Sequence, residues 1–169
     1  LRILDEDLRR VSCVSTGSHT LQQPDQHDLM TAHFTTERQV VVRLTTSFIN
    51  EAGIGEHSYR VFGTEGYFER FSGRGDTPPA TFCRSSKLYG MRRITRFPID
   101  TMRHDPELQR SAEHGGADFA LLHHFLAAWN GECAPITLRE GLRMTLPGIF
   151  AAGSAELGGA PVEIRYPWD

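Results

Sequence analysis

The hydrophobic and polar pattern of the first two-thirds of the chain reads as strands and turns, and the last third shifts to a helical period. In "LMTAHFTTERQVVVRLTTSF" Val40, Val42, Leu44, Thr46 and Phe48 fall on one side of an extended chain. Val41, Arg43, Thr45 and Ser47 fall on the other, which is the pattern of a half-buried strand. The run predicts two strands around a turn near Thr36–Glu37–Arg38, and the β-branched "RRVSCVSTG" predicts a strand before them. "HSYRVFGTEGYFERF" predicts a hairpin, because aromatic-rich runs flank Gly63–Thr64–Glu65–Gly66. Gly66 is expected to supply the positive φ of a short turn with a bulge. "SGRGDTPPA" reads as a loop, and "TFCRSSKLYGMRRITRF" as two further short strands. "DTMRHDPELQRSAEHGG" is polar and irregular, with a short helix expected around Pro106–Arg110.

From Asp118 onward, Leu121, Leu122, Phe125 and Trp129 share one side of a helical wheel, and Asn130–Gly131 stops the helix. A second helix is expected in "APITLREGLRMTLPGIFAAGSAELGG". Thr137 and Glu140 stand at capping-box spacing, and Pro147 predicts a kink or a break. Gly158–Gly159 ends it, and "APVEI" is a final extended segment. Strands first and helices last predict an α+β fold, an antiparallel sheet with helices on one face.

Composition narrows the classes. The 169 residues suit one domain, so residues 1–169 are read as a single unit with a core of its own. A formal net charge of −3 argues against a nucleic-acid surface or an anionic-membrane binder. No run approaches the ~18 apolar residues of a membrane span, and no signal peptide is read. Cys13, Cys83 and Cys133 are odd in number, far apart and without a CxxC, so reduced thiols in a cytoplasm are expected rather than a disulfide framework. The chain opens on Leu1, which suggests a piece of a longer protein with part of its machinery outside these residues.

The stretch "HGGADFALLHHF" carries the candidate chemistry. Gly115 and Gly116 let the backbone turn sharply and approach a ligand. The first N–H groups of the helix lack intrahelical partners and carry partial positive charge. His114 stands just outside and Asp118 lies four positions later, so both could face one pocket. The competing account is a plain loop end, with Asp118 favouring the helix start and His114 in solvent. "HSYRVFG" offers His57, Tyr59 and Arg60 as ligand contacts or as polar residues on an exposed sheet face. His123 and His124 are adjacent, diverge by ~100° on a helix and are not expected to share a metal. Arg74–Gly75–Asp76 is read as a chance tripeptide. No GxGxxG, P-loop or GxSxG is present, so no residue of this chain is assigned to a cofactor.

Taken together, "VFGTEGYFE" and "HGGADFALLHHFLAAWNGECAPITLREGLRMTLPGIFAAGSAELGGAPVEI" resemble the C-terminal domain of the glucose–fructose oxidoreductase/inositol dehydrogenase/rhizopine-catabolism (Gfo/Idh/MocA) family. The matching elements are the hairpin at Gly63–Gly66, the helix start at His114–Asp118, the link Gly131–Pro135, the helix over Thr137–Glu156 and the close Gly158–Val162. The His-Gly-Gly-x-Asp form is most similar to the branch of NAD-dependent glycosidases that includes α-N-acetylgalactosaminidase. The resemblance implies an open, mostly antiparallel sheet with helices on one face, the dihydrodipicolinate-reductase-like C-terminal domain. It also implies a preceding Rossmann domain that holds NAD or NADP, and a homo-oligomer through the other sheet face. On this basis the chain is expected to be the substrate-binding and oligomerisation domain of an NAD(P)-dependent oxidoreductase acting on a sugar or cyclic polyol, not competent alone. His114 would be the acid–base residue, and Gly115, Gly116, Asp118, His57 and Tyr59 would contact the substrate. Two alternatives stand beside it: an NAD-dependent glycosidase domain and a non-catalytic interaction module of this fold.

Overall fold

The computed structural model describes residues 4–20, 22–24, 26–49, 58–70, 79–84, 94–98 and 117–169. The short helix expected around Pro106–Arg110, the Arg74–Asp76 tripeptide, His57 and His114–Gly116 lie outside the described residues. The fold is α+β with antiparallel sheet, and the chain divides into two compact units, Leu1–Glu51 with Ala134–Asp169, and Ala52–Cys133. Among the described residues no helix is long and apolar enough to cross a membrane.

The first unit is a four-stranded sheet of order β3-β2-β1-β8, made by β1 (Leu8–Ser15), β2 (Leu29–Thr36), β3 (Val41–Ser47) and β8 (Val162–Glu163). All three strand expectations of the first fifty residues hold. Alternation sends Val11 and Cys13 of β1 and Ala32 and Phe34 of β2 to one face, where they meet in register as Val11↔Phe34 and Cys13↔Ala32. Leu8 is buried too, although it stands three residues from Val11. The register explains this. Leu8↔Thr36 is followed by Arg10↔Thr35, so a bulge inserts one residue of β1 and returns Leu8 to the core side. The β2–β3 turn closes with Gln39 at φ 63° and Thr36 N–H donating to Val40 O at 3.1 Å. On the edge strand β3 only Val42 of the expected apolar row packs on the core, while Leu44 is exposed.

A helix, α2 (Leu138–Glu156), covers the central strand β1. Its start is the expected capping box. Thr137 Oγ1 accepts from Glu140 N–H at 3.2 Å, and Glu140 Oε2 accepts from Thr137 N–H at 3.0 Å. Pro147 does not break the helix, which runs through it from Leu138 to Glu156. The ring forfeits one backbone bond, but it is buried on the same side as Ala151 and Ser154, and that packing holds the helix together. The C-terminus is a Schellman motif with Leu157 as the cap. Gly158 at φ 68° donates to Ala155 O at 3.0 Å, and Gly159 N–H donates to Ser154 O at 2.8 Å. A Cβ on Gly159 would lie 2.8 Å from Val14 Cγ1, so this glycine is fixed by contact with β1 as well as by its φ of 91°.

Ser154 is fully buried and joins helix to sheet. The pairs Arg10↔Glu163 and Val11↔Val162 would next set Ser12 against Pro161 and Cys13 against Ala160, but β8 ends there. The Ser154 hydroxyl fills the gap. It accepts from Cys13 N–H at 2.9 Å and donates to Ala160 O at 2.7 Å. The small side chains Ala151 and Ser154 are what let the helix come this close. At the other end of β1, Tyr166 is buried against the same core and donates its phenol to Leu8 O at 3.1 Å.

The second unit holds an antiparallel meander of order β4-β5-β6-β7, from β4 (Tyr59–Phe62), β5 (Gly66–Arg70), β6 (Pro79–Arg84) and β7 (Ile94–Pro98). The expected hairpin is present, with Phe62↔Tyr67 flanking the turn and Gly63 N–H donating to Gly66 O at 2.8 Å. Helix α1 (Ala117–Trp129) follows and stops where Asn130–Gly131 predicts. Gly131 at φ 76° donates to Ala128 O, and Glu132 N–H donates to Ala127 O at 2.8 Å, a second Schellman close. The large apolar side chains of α1, among them Leu122, Phe125 and Trp129, are exposed.

Two stability outcomes follow from the first unit. Ser154→Ala strands the Cys13 N–H and the Ala160 carbonyl, and should lower unfolding free energy by about 1–3 kcal/mol in denaturant titration. Burial, reinforced by the Asp7 carboxylate, raises the Tyr166 phenol above its ordinary value. Its contribution is therefore complete below pH about 10, the unfolded value, and is lost as pH rises through the folded one. Tyr166→Phe should be less stable than wild type at pH 8 by about 1 kcal/mol, with the two stability curves converging in alkali. A constant offset across that range would exclude this ionisation.

Candidate functional site

The described part of the expected site begins at Asp118, exposed in the first turn of α1. A carboxylate there suits the positive end of the helix, whose first N–H groups have no acceptor within the helix itself. His114, Gly115 and Gly116 lie outside the described residues, as does His57. Tyr59 opens β4, pairs in register with Arg70 and is half exposed. Tyr59 and Asp118 belong to the same compact unit, 52–133.

The hairpin carries a network that the sequence reading left incomplete. Tyr59 and Arg60 are neighbours on β4 and so point to opposite faces. Arg60 is paired across the hairpin with Glu69, its Nε donating to Oε1 at 2.6 Å. The Tyr67 phenol donates to the other oxygen of the same carboxylate, and the Phe62 ring lies 5.1 Å from the Tyr67 ring. Tyr67 and then Arg60 hold Glu69 below the usual carboxylate range, while bonding to Glu69 raises the phenol of Tyr67. Glu69 is thus a fixed anion and Tyr67 a fixed donor, and neither is poised to exchange protons near neutrality. The signal was available: counting outward from Gly63–Gly66 sets Phe62 against Tyr67 and Arg60 against Glu69.

The two adjacent histidines of α1 part company, as their positions on a helix require. His123 stacks on Phe119 with ring centroids 6.0 Å apart, and His124 Nδ1 lies 3.5 Å from Cys133 Sγ. Among the described residues no group of three or more His, Cys, Asp or Glu converges.

The first unit has an open cleft of about 380 Å³, lined by Asp5, Glu6, Asp7, Arg9, Glu37, Arg38, Arg139 and Arg143. Its charges are largely spent on one another. Arg9 meets Glu37 at 2.8 Å, Arg38 meets Glu6 at 2.7 Å and Arg143 meets Asp7 at 2.5 Å. Bonds from Thr36 and Arg38 keep Glu6 below the ordinary carboxylate range. These residues come from three distant stretches of sequence, and only the run "LDEDLRR" hinted at them.

No protein-family model matches the sequence, and no curated protein does. Solved structures do match the fold. An NAD binding oxidoreductase from Klebsiella pneumoniae aligns with a TM-score of 0.68 at 13% identity, over 95% of this chain and 46% of that one. Levoglucosan dehydrogenase in complex with NADH and levoglucosan aligns at 0.67 and 15% identity, over 95% and 46%. An inositol dehydrogenase homolog from Azotobacter vinelandii, complexed with NADH and myo-inositol, aligns at 0.65 and 13%, over 95% and 45%. The chain spans less than half the length of these structures, and its α+β fold is the one found in part of each.

Proposed function

We propose that this chain is the C-terminal substrate-binding and oligomerisation domain of an NAD(P)-dependent oxidoreductase acting on a sugar or cyclic polyol, in the cytoplasm. The observation that carries the reading is the fold likeness, over nearly the whole chain, to structures named for levoglucosan and myo-inositol. The motif resemblance points the same way from the residues. The cofactor is assigned to a Rossmann domain outside these residues. Every strand pair described here is antiparallel, so no βαβ dinucleotide cradle is built from them, and no hydride step is assigned to this chain.

In this reading the chain holds and orients the substrate. Asp118 and the first N–H groups of α1 bond hydroxyls, Gly115 and Gly116 let the backbone approach, and His57 and Tyr59 add contacts. His114 gives or takes a proton, because an unperturbed histidine titrates near pH ~6.5. The same helix start would serve an NAD-dependent glycosidase. The products distinguish the two: net reduction of nicotinamide belongs to the dehydrogenase, and release of a free sugar with no net redox change to the glycosidase.

The outward face of the first sheet is proposed as the contact between copies. Val14 and Val41 are exposed there among Thr31 and Thr45, whose hydroxyls meet at 3.1 Å, which makes a mixed surface.

Two outcomes test this. In the longer protein, His114→Ala should lower kcat/KM for a sugar or polyol by roughly 10²–10⁴ and leave the thermal midpoint nearly unchanged. Gly115→Val should lower both. Full activity in His114→Ala would remove the histidine from the mechanism. Light scattering should show a dimer or larger at tens of micromolar, and Val41→Glu should shift it toward monomer. A stable wild-type monomer would sink the sheet contact.

A further inference from the structure

The outward face of the first sheet reads row by row from the strand registers. Arg10 stands beside Thr35 and Thr35 beside Val41, while Ser12 stands beside His33 and His33 beside Arg43. Alternation puts these residues on the side away from Val11, Cys13, Ala32 and Phe34. Arg10, His33 and Arg43 are exposed. Directly opposite side chains start about 5 Å apart and diagonal ones about 7–8 Å apart, within reach of a long side chain. His33 is opposite Arg43 and diagonal to Arg10, so an anion over the imidazole is within reach of both guanidinium groups.

These cations have no counter-charge. In the cleft Arg9, Arg38 and Arg143 are each paired with a carboxylate. Arg10 and Arg43 make no ion pair and no side-chain hydrogen bond among the described residues. Glu163 is opposite Arg10 in register but closes no ion pair with it. The chain as a whole carries a net charge of −3, so unpaired arginines gathered on one face run against its overall balance. Like charges crowded across neighbouring strands cost stability, and an anion lying over them removes that cost.

We propose that Arg10, His33 and Arg43 form a binding site for a compact free oxyanion of the phosphate or sulfate type. The planar fork of each guanidinium matches two oxygens of such an anion, and the imidazole between them offers a ring N–H. The site is read by anion binding and the contact between copies by association, so either can fail alone.

Calorimetric titration of the full chain with inorganic phosphate tests the site, with chloride exchanged for phosphate at constant ionic strength to hold general screening fixed. Binding should saturate at a single site. Arg43→Gln and Arg10→Gln should each weaken it by about tenfold or more, because each removes a charge-assisted hydrogen bond, and should leave the thermal midpoint nearly unchanged. Glu163→Gln, which removes the neighbouring carboxylate, should strengthen it. Arg139→Gln in the cleft should change nothing. Heat that never saturates, or full binding in Arg43→Gln, would overturn the site. Loss of binding in Arg139→Gln with Arg43→Gln unaffected would place the anion in the cleft, and would overturn it equally.

Discussion

One buried hydroxyl decides how the first unit is assembled. A central strand must satisfy its backbone on both edges, and β8 pairs with β1 at only two positions, Arg10↔Glu163 and Val11↔Val162. Ser154 supplies the next link from the helix, taking the Cys13 N–H and giving its own proton to Ala160 O. This requires a small residue at that position, a helix axis close to the sheet and a chain that turns back at once. Ala151, the buried Pro147 and the Gly158–Gly159 close meet those needs. Ser12 adds a second tie, its hydroxyl donating to Gly159 O at 2.6 Å.

The same unit shows how an apolar centre and a charged margin divide the work. Val11, Cys13, Phe34, Ala151, Ile164 and Tyr166 form a core held mainly by apolar burial. Around its edge Arg9, Arg38 and Arg143 pair with Glu37, Glu6 and Asp7. Individually such partly exposed pairs contribute little, about 0–1 kcal/mol. The second unit is described mainly by its hairpin. Its hairpin places a carboxylate, a phenol and a guanidinium in one row beside an exposed aromatic ring.

Local sequence determined much of this protein. β-branched residues located β1, a period-two run located β3, the spacing of Thr137 and Glu140 announced the capping box, and Asn130–Gly131 and Gly158–Gly159 marked both helix ends. These features involve residues within one turn or one strand of each other, so their geometry follows from short-range sterics and hydrogen bonding. The candidate site was legible as residue types and only in part as places. Asp118 and Tyr59 stand where helix start and strand start were read, and the pairing of Arg60 with Glu69 follows from hairpin register.

Tertiary structure decided what depends on distant partners. A proline inside a helical pattern reads as a break, yet burial of Pro147 beside Ala151 and Ser154 keeps the helix whole. A bulge between Leu8 and Arg10 cannot be seen in β1 alone, because it is defined by the partner strand's register. The apolar row of β3 reads as a buried face, but the helix lies on β1 and only Val42 reaches the core. The role of Ser154 has no local signature at all. A serine in a helix is commonplace, and it becomes essential only because a strand 141 residues away presents an unpaired N–H at 2.9 Å. Periodicity and capping are set by neighbours along the chain. Satisfaction of buried polar groups is set by neighbours in space, and the sequence by itself does not say which those are.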